Sequence, residues 1–265
     1  MNKPEISIIL PAIRQQWWDR FYDSILISTK RTFELIIVGP YPLTEKLQSL
    51  GNVKYVKDFG SPVRASNIAA SLCEGKVVTW GGDDAWYLEN TIDTHVDMLY
   101  SMGPETNNVV VAKYFEGQEG SIDRTTLQPD SYYLINNADC TRSPHIPDDW
   151  WIFNAGYLYR EFFEFMGGWD CKFEANAMAH TDFAIRAQFM GANVKMSGIA
   201  HVCGDHMPGN SGDHMPISVS QIDNDIPLLQ SKYRDQNWRT NVDMRIDMDN
   251  WKKAPPVWER RFKRK

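Results

Sequence analysis

Three groups of side chains in the 265-residue chain have types and spacing that could do chemistry. The first is Asp83-Asp84, adjacent carboxylates that follow Gly81-Gly82 at the end of the apolar run Lys76–Trp80. The two glycines remove side-chain bulk where a ligand would approach. A carboxylate pair there suits Mg²⁺ or Mn²⁺, whose remaining positions take water and phosphate oxygens. The same pair would equally cap a helix that follows it. The second group is the stretch GDHMPGNSGDHMP, residues 204–216, in which five letters recur eight positions apart. His206 and His214 within it, and His201 just before it, carry ring nitrogens able to ligate a metal. Three readings stand open for the repeat: a separate two-His, two-Asp zinc site, a loop without a metal, and a loop whose His joins an ion held at Asp83. The third group is Asp182 with Arg186 one turn later on one helical face; alone, Asp182 reads as an ordinary helix cap.

These residues need elements to position them. ISIILP (Ile6–Pro11), FELIIVG (Phe33–Gly39), VKYVKDF and KVVTW read as strands, the first two as apolar runs buried on both faces. Between them WWDRFYDSILIST, TEKLQSLG and SPVRASNIAASLCEG read as helices, the last beginning after Ser61-Pro62 and stopping at Gly75. Four strand–helix alternations in eighty residues predict a mostly parallel α/β sheet flanked by helices. Ligands of such sheets bind beyond the carboxyl ends of the strands, which is where Asp83 and Asp84 fall. Further on, NTIDTHVDMLYSMG predicts a helix, VVVAKYF a strand, and residues 117–150 a loop or lid. YLYREFFEFMG and HTDFAIRAQFMG predict helices, and VKMSGIAHVCG a late strand pair or an edge strand. With no low-complexity linker, the chain reads as one domain with a C-terminal extension.

Composition narrows the function classes. Hydrophobic residues make up 43 % of the chain, enough for a sizeable core, and no apolar run approaches the ~18 residues of a membrane span. Four widely spaced cysteines without a CxxC pair predict reduced thiols and a cytoplasmic location. The net charge of −6 argues against a body that grips nucleic acid by charge alone. The last fifteen residues, WKKAPPVWERRFKRK, differ: seven Lys or Arg and three aromatics suit an anionic partner, either phospholipid headgroups at the inner membrane or a nucleic-acid backbone.

Read together, ISIILPAIR, VRASNIAASLCEGKVVTWGGDDAW, FNAGYLYREFFEFMGGWDCKF and HTDFAIRAQFMGANV resemble, in order, the motifs of family 2 type glycosyltransferases. The resemblance runs from Ile6 to about His201. It implies the GT-A (Rossmann-like) nucleotide-diphospho-sugar transferase fold as a domain over residues 1–217. Residues 1–100 would form the nucleotide-sugar half and 101–217 the acceptor and catalytic half, with a helical, basic extension over 218–265. The implied enzyme is a metal-dependent, inverting hexosyl- or pentosyltransferase using Mn²⁺ or Mg²⁺ and a nucleotide-diphospho-sugar, a UDP-sugar foremost. The implied acceptor is a glycan or lipid-linked glycan, with modified DNA bases as the alternative acceptor and a non-catalytic binding protein as the alternative class. The resemblance places Pro11, Arg64, Asn67, Asp83 and Asp84 at the donor and Trp169 and Asp170 at the acceptor. It makes Asp182 the catalytic base and adds His206, His201 or His214 to Asp83 as metal ligands.

The chain also departs from the family pattern. Gly39-Pro40-Tyr41 stands where the family has a base-reading Asp, leaving Asp58 or Tyr41 as substitutes. Gly81 stands at the first Asp of the DxD-type motif, and Thr181 stands where a Glu commonly precedes the catalytic Asp.

Overall fold

The structure is a computed structural model that describes residues 3–117, 132–135, 150–205, 212–234 and 237–262. Most of the predicted lid over residues 117–150 lies outside the described residues.

The first half follows the sequence pattern closely. Strands β1 (Ile6–Pro11), β2 (Phe33–Gly39), β3 (Val53–Lys57) and β4 (Val77–Trp80) pair in parallel in the order β3-β2-β1-β4. They are joined through helices α1 (Gln15–Ser28), α2 (Glu45–Gln48) and α3 (Pro62–Ala70). Helix α3 starts where the sequence said it would. Ser61 caps it by accepting the Arg64 N–H at 3.3 Å, and Pro62, which has no N–H to lose, opens the first turn.

Alternate residues of the apolar runs serve two cores. Ile9, Ile36, Val38 and Val78 pack with α3, while Ile8, Leu10, Leu35 and Ile37 pack with α1 on the opposite face. Each such side chain removed from water contributes roughly 1.5–3 kcal/mol, so both faces of the sheet must be covered.

Beyond β4 the sheet becomes mixed. Strands β5 (Ala85–Tyr87), β6 (Asn108–Gly117), β7 (Tyr132–Ile135), β8 (Gly156–Tyr159) and β9 (Asn193–Asp205) complete it, with α4 (Thr91–Ser101) between β5 and β6. The order continues β4-β8-β6-β9-β5, and β7 pairs with β6. β8 runs antiparallel to both β4 and β6, while β9 runs parallel to β6. The sequence pattern gave YLYREFFEFMG to one helix. The structure splits it into β8 and helix α5 (Arg160–Met166). Leu158 faces the α3 core while Tyr157 and Tyr159 face the other, a period of two that no helix can satisfy.

Helix α6 (Asn176–Phe189) follows, and after β9 come α7 (Met215–Ser220), α8 (Ile226–Tyr233) and α9 (Glu259–Phe262). The extension packs on the domain. The Trp258 N–H donates to the Phe59 carbonyl at 2.7 Å, and its indole donates to Glu174 at 3.0 Å. Arg260 binds Glu174 at 2.6 Å and Asp223 at 3.0 Å, Lys252 pairs with Asp249, and Lys253 lies 3.9 Å from Asp247. The described part of the tail is therefore a folded flank with internal ion partners. Residues 263–265 lie outside the described part. No helix of the described residues is long and apolar enough to cross a membrane.

Candidate active site

The carboxyl ends of β1, β2 and β4 open into a cleft of about 490 Å³, within the usual range for small-molecule sites. Pro11–Arg14 line it after β1, Gly39 and Pro40 after β2, Asp58 and Gly60 after β3, and Gly81–Asp84 after β4. Gly39 is required here, since a Cβ on it would lie 1.8 Å from the Ala12 carbonyl oxygen. Gly81 has its own reason. A Cβ there would meet the Phe21 ring at 2.9 Å, so the missing first carboxylate of the DxD-type motif has no room.

Asp83 is 2 % exposed and fully engaged by protein donors. Its Oδ2 accepts the backbone N–H groups of Ile13 at 2.6 Å and Arg14 at 2.5 Å, with the Trp18 indole at 3.3 Å. Its Oδ1 accepts Arg14 Nη1 at 2.6 Å. Asp83 thus ties the loop after β1 to the end of β4.

The Arg14 guanidinium then gathers the rest of the predicted metal site. Nη1 lies 3.3 Å from Asp84 Oδ2, Nε and Nη2 grip Asp213 at 2.7 and 3.0 Å, and Nη2 lies 2.7 Å from His214 Nε2. Burial alone would lower the Arg14 pKa, but Asp84, Asp83 and Asp213 outweigh it and fix the positive charge. Burial, with Asp84 adding to it, raises the Asp83 pKa against the pull of Arg14.

These residues do not fit a divalent ion as they stand. The Asp83 oxygens are already taken, and an ion could reach Asp84, Asp213 and His214 only by expelling a guanidinium from five polar contacts. Among the described residues no group of three His, Cys, Asp or Glu side chains could hold a metal ion. As the side chains stand, Asp83 ties the loop after β1 to the end of β4. His201 also lines the cleft. It is buried with Nδ1 3.0 Å from the Tyr157 hydroxyl and its ring against Tyr87 and His95, and burial drives its pKa well below the usual value. His206 lies outside the described residues. His214 does reach the site, on a short turn that opens α7, but as a partner of Arg14 and Asp84.

Asp182 is the largest correction. It has no exposed surface and does not line the cleft. Its Oδ2 accepts Arg186 Nε at 2.7 Å, and its Oδ1 accepts the Tyr233 hydroxyl at 2.7 Å and Lys232 Nζ. Arg186 in turn donates to the carbonyls of Met166 at 3.1 Å and Gly168 at 2.7 Å. Burial would raise the Asp182 pKa, but Lys232 and Arg186 hold it below the usual carboxylate range. This charge staples α6 to α5 and α8.

The other predicted site residues divide between cleft wall and scaffold. Pro11 and Asp84 line the cleft. Arg64 is buried, pairing with Asp58 at 3.1 Å and donating to the carbonyls of Trp251 and Ala254. Asn67 donates to the Trp169 carbonyl and accepts the Trp169 N–H at 3.1 Å, fixing the turn after α5. Trp169 is 1 % exposed and belongs to the core. Asp170, paired with Lys232 at 3.0 Å, lines a neighbouring cavity of about 590 Å³ instead. Of the two substitutes for the base-reading Asp, Asp58 reaches the cleft and Tyr41 is not among its lining residues.

Sequence reasoning passed over three residues of the cleft. Arg14 sits three residues past the end of β1, and Arg261, on α9, lines the cleft while donating to the Asp213 carbonyl. His180 is 7 % exposed, on the face of α6 that also presents Asn176 and Ala177. A helix turns about 100° per residue, so Asp182, two positions on, points about 200° away from His180. That spacing was the available signal.

No family model matches the chain, and no curated protein matches it. Solved structures do. S. aureus TarS 1–349 superposes with a TM-score of 0.54 at 12 % identity, covering 86 % of this chain and 70 % of that one. TarS 1–349 in complex with UDP gives 0.52 at 13 % identity, over 88 % and 72 %. S. aureus TarS itself gives 0.51 at 14 %, over 83 % and 40 %. At such identities the likeness establishes the fold, and it is the GT-A nucleotide-diphospho-sugar transferase fold that the motifs resemble.

Proposed function

We propose that this chain is a glycosyltransferase that draws its sugar from a nucleotide-diphospho-sugar, with a UDP-sugar the foremost donor. The observation that carries the reading is the cleft at the carboxyl ends of β1–β4, where Arg14 is locked beside Asp83 and Asp84. It is supported by likeness to a chain solved with UDP. Strands β3 and β4 are three steps apart in the sheet, about 14 Å at the usual strand spacing, a span suited to a nucleoside diphosphate.

In this reading the nucleobase lies towards Gly39, Pro40 and Asp58, and the diphosphate lies towards the loop after β1. Arg14 and Arg261, the cations of the described lining, face the charge that grows on the departing diphosphate. The sugar is transferred by single displacement with inversion at the anomeric carbon. The acceptor supplies a hydroxyl, and a glycan or lipid-linked glycan is the class we favour.

Calorimetric titration with UDP, UDP-glucose and UDP-N-acetylglucosamine, with and without Mn²⁺, tests the donor class. Binding with release of UDP on incubation is the expected result. No binding of any of the three at millimolar concentration would remove the reading.

A further inference from the structure

Transfer to a hydroxyl needs a group that takes the acceptor's proton, and Asp182 is sealed in the scaffold. We propose that His180 takes it, an inference that rests on the donor reading above.

His180 lines the cleft from α6 yet is more than nine-tenths buried. Its ring packs at 5.5 Å against Trp80 and at 5.5 Å against Trp169, both tilted by 46°. These two indoles stand edge to face at 5.3 Å and hold it from behind. Trp80 is fixed by its indole N–H on the Asn154 carbonyl at 2.9 Å, and Trp169 by the Asn67 clamp on its backbone. Among the described residues no hydrogen-bond partner meets either ring nitrogen of His180. Among the described residues, then, two indoles hold the ring of a histidine that lines the cleft, where a bound acceptor would meet it.

Burial lowers its pKa to about 3, which keeps the imidazole neutral but weakens it as a base. An anionic diphosphate bound nearby raises that value again and strengthens the base when donor is present. The step balances simply. The acceptor oxygen forms a bond to the anomeric carbon as the bond from that carbon to the diphosphate oxygen breaks. The electron pair leaves with the diphosphate, and the acceptor proton passes to a ring nitrogen of His180, giving an imidazolium. Water serves as acceptor in the same way, releasing UDP and free sugar.

The test uses the full chain with UDP-glucose and UDP-N-acetylglucosamine, following donor affinity by calorimetry and UDP release by a coupled assay. His180→Ala and His180→Gln are expected to bind donor within about threefold of wild type while UDP release falls at least ~100-fold, the usual scale for general-base removal. Added imidazole is expected to restore part of the rate to His180→Ala and none to His180→Gln, a response that a merely structural role would not produce. Should His180→Ala melt, His180→Gln, which keeps a polar side chain in the gap, decides the matter by its rate alone. Variants that bind donor and release UDP within fivefold of wild type overturn the proposal, as does wild type that binds donor and never releases UDP. Failure of wild type to bind either donor removes the donor reading itself, and the role of His180 with it.

Discussion

Two buried carboxylates, Asp83 and Asp182, have nearly the same inventory of partners and opposite relations to the cleft. Each is 2 % exposed or less, and each faces an arginine. Around Asp182 the circle closes: Arg186 spends its other N–H groups on the Met166 and Gly168 carbonyls, and Lys232 and Tyr233 complete the shell. Around Asp83 the arginine reaches outward instead, to Asp84, Asp213 and His214 along the cleft wall. A buried acid alone therefore does not mark an active site. What its counter-ion touches next decides.

The comparison can be broken at several points. Asp182→Ala should have the largest effect, about 3–5 kcal/mol of lost stability, because it strands Arg186 in the interior. Denaturant melts would show this, and the folded fraction should still bind donor. A variant with full stability would mean that the staple is not one. Arg14→Gln removes the counter-ion of buried Asp83 and so costs stability too, but it should also reduce UDP release by about 100-fold, the scale of losing one oriented donor to a developing charge. Steady-state rates on protein with a checked melting curve separate the two outcomes.

Acid should act next. The folded-state pKa of Asp182 is depressed, so its contribution to stability is complete above the unfolded-state value near 3.8 and is lost as pH falls through and below it. His180 adds in the same direction. Its folded pKa of about 3 lies below the usual 6.5, so the folded state loses ground from pH 6.5 downward as the unfolded chain takes up the proton. Urea melts between pH 7 and 3 should show a two-part decline, the upper part reduced in His180→Gln, with buried His95 and His201 supplying the rest, and the lower part reduced in Asp182→Asn.

The smallest expected effect is that of a chelator. With Arg14 in the cation position, EDTA should change donor affinity by less than about twofold, whereas a metal-built site would lose far more. An absolute requirement for Mn²⁺ would show that Arg14 leaves its carboxylates when donor binds.

Much of this fold was legible in the sequence because the chain's strongest signals are local. Continuous apolar runs such as ISIILP and FELIIVG, the Ser61-Pro62 helix start and the Gly81-Gly82 bend each depend on neighbours within a few residues. The cleft's location followed from them through the rule for open sheets. The identities of the working residues did not follow, since they turn on contacts between distant parts of the chain. Arg14 looks like an unremarkable loop residue until Asp213 and His214, about two hundred positions later, close on it. The repeat shows the same limit. Gly204 and Asp205 of its first copy end β9, whereas Gly212 and Asp213 of its second form the turn into α7, so the same two letters take different backbones. Helical phase puts Asp182 and His180 on different faces of α6, and the i, i+4 spacing of Asp182 and Arg186 is that of an intrahelical ion pair.

Asp213 is met by Arg14 through its side chain and by Arg261 through its carbonyl, so residues from near both ends of the chain converge on one position. The strands that frame the cleft are complete by Trp80, whereas its wall includes Arg261. In synthesis the frame therefore leaves the exit tunnel about 180 residues before the last described piece of the wall, and Asp213 is where the late piece is fastened to the early one.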